Sequence, residues 1–283
     1  MRICISHETR YRYQQPVNGL IQTLRLAPRN HDGQYVLNWR IEVSADCRLE
    51  RNEDAFGNLT DTFSVHGHLD QLSVLVAGEV ETEDTHGVVS GTVERLPPSL
   101  FLRETDLTRA DSAIGAFANE IAGSDPPDAL SRLHTLLNRL HQDIGYDPDP
   151  THTATTAAEA FALKRGVCQD ITHIFISAAR RLGIPARYIG GYYYSGGDKV
   201  QAEASHAWAE AYVPDLGWVG FDATNGVCIT DAHVRVAMGL DYLGAAPVRG
   251  SRRGGEGENL SVEVHVGQPQ LPAQGQMQRQ SQS

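Results

Sequence analysis

The hydrophobic period of this chain changes once, near Arg95–Pro98, and that change limits the possible folds more than any other feature. Upstream, Tyr35, Leu37, Trp39, Ile41 and Val43 alternate with polar or smaller residues, the period of a half-buried strand. Leu59, Phe63 and Val65 keep one parity, and Leu72, Val74, Val76 and Val80 form a third alternation. Between the first two lies Asp54-Ala55-Phe56-Gly57-Asn58, which has the residues to reverse a chain. Several short strands separated by turns predict an antiparallel β-sandwich over residues 1–97. Pro97-Pro98 then interrupts regular structure and marks a domain boundary.

Beyond the boundary the period becomes helical. Leu130, Leu133, Leu137, Leu140 and Ile144 recur at three and four residues, and Ser124-Asp125-Pro126-Pro127 suits the start of that helix. Thr156 with Glu159 predicts a capping box at the head of a second helix, which ends before Gly166. A third runs from about Cys168 to Leu182, burying Ile171, Ile174, Phe175, Ala178 and Leu182, and stops at Gly183 and Pro185. Strands return over Ala186–Tyr194, with Ser195-Gly196-Gly197-Asp198 as a turn. His206–Val213 and Trp218–Asp222 flank a further turn at Pro214-Asp215-Leu216-Gly217. Residues 98–270 thus form a second domain of helices and antiparallel strands. Residues 271–283 carry five Gln and no aromatic, and are expected to be a disordered tail.

Composition narrows the function. The 283 residues hold 24 basic and 35 acidic side chains, a net charge of −11, which argues against nucleic acid as the main partner. Four cysteines, Cys4, Cys47, Cys168 and Cys228, include no C-x-x-C pair, so neither a zinc ribbon nor a redox pair is suggested. Reduced thiols in a cytoplasmic protein are the simpler reading. The first residues are polar and charged, unlike a signal peptide, and no apolar run approaches the roughly 20 residues that span a bilayer. A soluble protein without a membrane partner is expected.

Cys168 follows Gly166-Val167 at the expected N-terminus of a helix. Unpaired amides and the helix dipole favour a thiolate there, although a buried structural cysteine would fit the same position. Asp170, one turn in, would repel a thiolate slightly unless it has another role or is turned away. A thiolate needs a base, and His206 in Ser205-His206-Ala207-Trp208 begins a strand. Asp222 ends the next one. A hairpin centred on Pro214 would set His206 opposite Asp222, whereas a centre one residue later would offset them. A carboxylate orienting a histidine beside a cysteine is the logic of acyl-transfer catalysis.

Other candidates are weaker. His66 and His68 stand at i, i+2 without further ligands, and the parity of Phe63 and Val65 turns them to water, so no metal is expected. His173 is a core or surface histidine. Tyr192, Tyr193 and Tyr194 either line a cleft or fill a strand, the strand being favoured. The glycines from Gly190 to Gly197 lack a phosphate-loop Lys-Ser/Thr, and no cofactor is expected.

Taken together, four blocks resemble the core of the bacterial transglutaminase-like superfamily. They are Gly166-Val167-Cys168-Gln169-Asp170, Gly183-Ile184-Pro185-Ala186-Arg187-Tyr188, Ser205-His206-Ala207-Trp208, and Gly217-Trp218 with Phe221-Asp222. The first domain is similar to the N-terminal region attached to such cores, through His7-Glu8-Thr9-Arg10-Tyr11-Arg12-Tyr13, Pro16-Val17, Leu24-Arg25-Leu26, Pro28-Arg29 and Phe56-Gly57-Asn58. The resemblance implies an α+β protein: an N-terminal antiparallel β-sandwich followed by a papain-like core of helices packed on an antiparallel sheet. Cys168 would be the nucleophile, His206 the general base and acid, and Asp222 the residue orienting the imidazole. The amides of Cys168 and Gln169, with the hydroxyl of Tyr146, are candidate oxyanion donors. Two positions depart from the pattern. Ala223 stands where Pro is usual, and Leu240 replaces an Arg expected to border the substrate cleft.

The expected activity is hydrolysis of amide or peptide bonds in a peptide or protein, through a thioester acyl-enzyme. Transglutaminase-type transfer to an amine shares that intermediate, and a non-catalytic binding module is the reading from another class. Oligomeric state is not fixed by these features.

Overall fold

The computed structural model describes residues 1–123, 128–196 and 205–269. The predicted start at Ser124–Pro127, part of the Ser195–Asp198 turn and the tail at 271–283 lie outside the described residues. In chain order the elements are β1 (Arg2–Ala27), β2 (Gln34–Val43), β3 (Glu50–Glu53), β4 (Leu59–Thr82) and β5 (Val88–Val89). After a 3-10 turn at Pro98–Leu102 come α1 (Ser112–Ala122), α2 (Ala129–Asp143), β6 (Gly145–Tyr146), α3 (Ala157–Leu163), β7 (Arg165–Gly166) and α4 (Cys168–Arg181). Then follow β8 (Ala186–Tyr193), β9 (His206–Val213), β10 (Gly217–Asp222), β11 (Val227–Cys228) and β12 (His233–Gly239). The described chain ends with α5 (Tyr242–Ala245), β13 (Val248–Gly254) and β14 (Glu258–Gly267).

The first part is built on two very long strands rather than several short ones. β1 has 26 residues and β4 has 24, and they pair antiparallel along most of their length. Each bends partway. In β4 the buried parity passes from Phe63 and Val65 to Leu72, Val74 and Val76 across Gly67, whose φ of 100° suits glycine. In β1 it passes from Ile3, Ile5 and Tyr11 to Leu20, Leu24 and Leu26, with the register shifting between Val17 and Gly19. The bend lets one continuous sheet close over its own apolar face, where Tyr11, Leu72 and Val74 meet Leu20, Leu24 and Phe63. That gives the sandwich-like layer. β2 departs in detail from its alternation: Tyr35 is 58% exposed, because the register shifts between Val36 and Asn38 and turns Val36 inward.

Residues 248–267 do not stay with the second part, to which the 98–270 boundary assigns them. β13 and β14 both pair with β1, β13 along Val17–Leu24 and β14 along Cys4–Tyr13. The exchange also runs the other way, since β5 pairs with β10 before Pro97 is reached. Pro98 itself opens a 3-10 turn, a position where its missing N–H costs nothing.

The second part is a sheet in the order β11-β10-β9-β8-β12, antiparallel at every pairing, with α4 packed across it. Ala207, Ala209 and Ala211 on β9 are small enough to let Ile171, Ile174 and Phe175 of α4 approach closely. The capping box of α3 forms between Thr156 and Glu159, as its spacing predicts. Helix α1, which begins at the N-cap Asp111 and buries Ile114, Phe117 and Ile121, has no counterpart in the sequence reading.

The two parts share one core. Ile3, Ile5, Val80 and Val264 of the N-terminal sheet belong to the same apolar cluster as Tyr192 and Val234 of the second sheet. β12 is an edge strand, and side-chain amides satisfy its outer backbone. Gln34 donates to the Arg235 carbonyl at 2.9 Å and accepts from the Arg235 N–H at 2.7 Å. Asn58 does the same for Met238, at 2.8 Å each way. Two amides thus cover a sheet edge that would otherwise leave polar backbone groups buried and unpaired.

Candidate active site

Cys168 is the first residue of α4, following the N-cap Val167. The carboxylate of Asp170 turns back and accepts the Val167 N–H at 2.9 Å, which gives Asp170 a structural task away from the thiol. Burial raises the pKa of Asp170, against the lowering effect of its hydrogen bonds. Gly166 makes this possible, because a Cβ there would lie 2.6 Å from Asp170 Oδ2. The amides of Cys168 and Gln169 head the helix with no intrahelical acceptor, as the first N–H groups of any helix do.

His206 is the first residue of β9, and Cys168 is among the groups whose influence raises the pKa of its imidazole. Its Nε2 lies 2.7 Å from Asp222 Oδ2. The hairpin is centred on Asp215, with Val213 opposite Gly217 and Ala209 opposite Phe221, so Asp222 is offset from His206 and reaches it diagonally. An offset of two keeps both side chains on one face. Tyr193 flanks the imidazole with ring centroids 5.3 Å apart, whereas Tyr192 is buried and bonds His7 at 2.9 Å.

Asp222 is fully buried and accepts from five donors. Besides His206 these are the Asn225 side chain at 2.6 Å, His233 Nε2 at 3.2 Å, and the backbone N–H groups of Thr224 and Asn225 at 3.1 and 3.2 Å. Burial alone would raise its pKa, but the donors prevail and hold it far below the usual carboxylate range. Burial likewise disfavours charge on His206. The hydrogen bonds and charges of Asp222 and Cys168 outweigh it and lift the imidazole to about 10.

His233 is the site residue that the sequence reading misses. It is buried, and its Nδ1 accepts the Thr230 N–H at 3.1 Å, so Nε2 carries the proton given to Asp222. It arrives through the pairing of β12 with β8, where His233 stands opposite Tyr193, and no local spacing signals such a contact. His206, Asp222 and His233 offer ligand atoms within 4.8 Å of one another. The ligands of a tetrahedral zinc stand roughly 3.3 Å apart. The 2.7 Å separation of His206 from Asp222 is shorter and matches a hydrogen bond.

The oxyanion candidates also border the thiol. Parallel pairing of β6 with β7 sets Tyr146 beside Gly166, and Tyr146 and Gln169 line the same cleft as Cys168. The Gln169 side chain donates to the Thr153 carbonyl at 3.3 Å. Leu240 is not on the cleft wall; it packs with Ile189, Trp208 and Met238, and its carbonyl accepts from the buried Arg180 at 2.7 Å. His173 is wholly buried and accepts the Tyr242 N–H, and burial lowers its pKa to about 4. His66 and His68 are exposed on β4, as expected.

Helices packed on a mostly antiparallel sheet give the chain a transglutaminase-like α+β fold. Residues 115–223 match the transglutaminase-like superfamily, and residues 3–81 match the bacterial transglutaminase-like N-terminal region. The chain therefore carries a transglutaminase-like core joined to that N-terminal region. A solved structure from Cytophaga hutchinsonii, provisionally described as a cysteine protease, shares the fold with a TM-score of 0.76 at 21% identity, covering 96% of this chain and 92% of that one. An uncharacterised protein of Mycobacterium leprae is 29% identical, over 94% of this chain and 98% of its own. A Pseudomonas aeruginosa protein named protein-glutamine gamma-glutamyltransferase is 30% identical, over 43% of this chain and 20% of its own.

Proposed function

We propose that this protein is a cysteine-dependent amidase or peptidase that works through a thioester acyl-enzyme. One observation carries the reading: the His206 imidazole is bonded to a caged carboxylate, and its pKa is lifted by Asp222 together with a half-buried cysteine that heads a helix. In the forward step the Cys168 sulfur attacks an amide carbonyl carbon. The C–N bond breaks, and His206 gives its proton to the departing amine. Water then gives a proton to His206 and attacks the thioester, releasing the acid and returning the proton to the sulfur. Asp222 holds the imidazole in place and favours its charged form. The amides of Cys168 and Gln169, with Tyr146, receive the developing oxyanion.

Peptides or proteins are the substrates this reading expects. Four free thiols suit a cytoplasmic setting. Transfer of the acyl group to an amine is a second reading, supported by the likeness to the Pseudomonas protein. The test is alkylation by iodoacetamide at neutral pH. Cys168 should react well ahead of Cys4, Cys47 and Cys228, and the His206→Ala variant should lose that advantage. Equal rates for all four would remove the basis of the proposal.

A further inference from the structure

The thiol opens into a cleft of about 510 Å³ that the core builds only in part. The opposite wall is the N-terminal sheet, contributed by β1, β13 and β14. On that wall Tyr11 stands opposite Leu260 and Thr9 opposite Val262 in the β1–β14 ladder, so their side chains form one cross-strand surface. Val248 extends it from β13, and Tyr188 and Tyr242 face it from the core. Leu260 is 55% exposed, an apolar side chain left uncovered at the cleft. Among the described residues lining this space there is no Asp, Glu, Lys or Arg, in a chain with 59 charged residues, 24 basic and 35 acidic.

We propose that this wall is a substrate-specificity surface, which takes an uncharged, bulky apolar side chain on the acyl portion of the substrate. The inference rests on the acyl-enzyme reading, since it is the portion held on Cys168 that would lie along the wall. An apolar side chain set against Tyr11, Leu260 and Val262 loses water from both surfaces. A carboxylate or ammonium in the same place would shed hydration with no Asp, Glu, Lys or Arg to meet it, and the wall's one imidazole, His7, is kept neutral by burial that lowers its pKa to about 4. The N-terminal sheet is thereby the part of the molecule that chooses the substrate, while the core carries the reacting groups.

The experiment uses the full chain and peptidyl vinyl sulfones that differ only in the side chain next to the electrophile: Leu, Phe, Glu or Lys. Labelling of Cys168 is followed by intact mass, with iodoacetamide as a control that carries no side chain. Leu and Phe probes should label at least about tenfold faster than Glu and Lys probes. Leu260→Lys, at an exposed position that tolerates polarity, should reduce the apolar advantage and speed the Glu probe, with iodoacetamide labelling unchanged. Equal labelling by all four probes, with fast alkylation by iodoacetamide, would overturn the specificity wall alone. Slow alkylation by iodoacetamide would instead remove the acyl-enzyme reading on which it stands.

Discussion

At the scale of single residues, Asp222 is the fixed point of the site. Its five donors keep it ionised, and it in turn holds the charge on His206. The sign follows from the histidine, whose folded pKa of about 10 lies above the ordinary 6.5. The stabilisation of the charged ring is complete below about 6.5 and is lost as pH rises through about 10. The alkaline limb of the rate profile should therefore lie near pH 10, and Asp222→Asn should move it towards neutrality and lower kcat/KM by about 10²–10⁴. A limb unmoved by that substitution would separate Asp222 from the chemistry. His233 acts through Asp222 as a positioning residue. Its loss in His233→Leu removes one hydrogen bond to a buried charge, worth about 10–100-fold in kcat, whereas His233→Gln keeps a donor and should recover most of it. If Leu and Gln at 233 give the same kcat and the same alkaline limb, orientation of Asp222 is not its role. The placement of Cys168 at a helix start and of His206 and Asp222 on one hairpin is legible in the sequence because helix-start and hairpin signals are local. His233 is not, because strand order alone brings it to Asp222.

At the scale of elements, β9 carries a second buried charge system that braces the hairpin. Glu210 is fully buried and bonds Arg187 at 2.7 Å and Arg235 at 2.8 Å, while Arg187 also reaches Glu94 at 2.8 Å and lies 3.8 Å from the centroid of the Trp218 ring. Burial would raise the pKa of Glu210, but the two guanidinium groups hold it at about 2. This contribution to stability is present above the ordinary value of 4.5 and fades as pH falls towards 2. Glu210→Gln takes away the buried carboxylate that Arg187 and Arg235 share and leaves the buried Arg187 with the half-exposed Glu94 alone, so unfolding should cost roughly 3–5 kcal/mol less, a fall in midpoint on the order of 10 °C. Thermal melts at pH 7 check this, and a loss under 1 °C would show the network to be energetically idle. The helices α2, α3 and α4 are legible from apolar spacing and caps. Helix α1 has its own signal in Asp111, Ile114, Phe117 and Ile121, and the alternation of Leu260, Val262, Val264 and Val266 signals β14. What such signals do not contain is β14's partner, which is set by a pairing with β1 some 250 residues away.

At the scale of the whole molecule, the change of period near Pro97 reflects two kinds of layer and not two independent units. The chain crosses between them at β5 and returns at β13, and a single apolar cluster runs through both. Calorimetry should accordingly show one cooperative transition, and two well-separated ones would contradict the shared core. The arrangement also places Cys168 in a cleft lined by both layers, where the proposed substrate would meet both. The claim on which all of this depends is that Cys168 carries the acyl group. Its most direct measurement is the intact mass of the protein quenched during turnover of an apolar acyl-peptide amide, followed by peptide mapping. The expected result is a transient adduct equal to the acyl portion on Cys168, absent from Cys168→Ala, which should be inactive. Turnover by Cys168→Ala at the native rate, with no adduct on the native protein, would contradict the account.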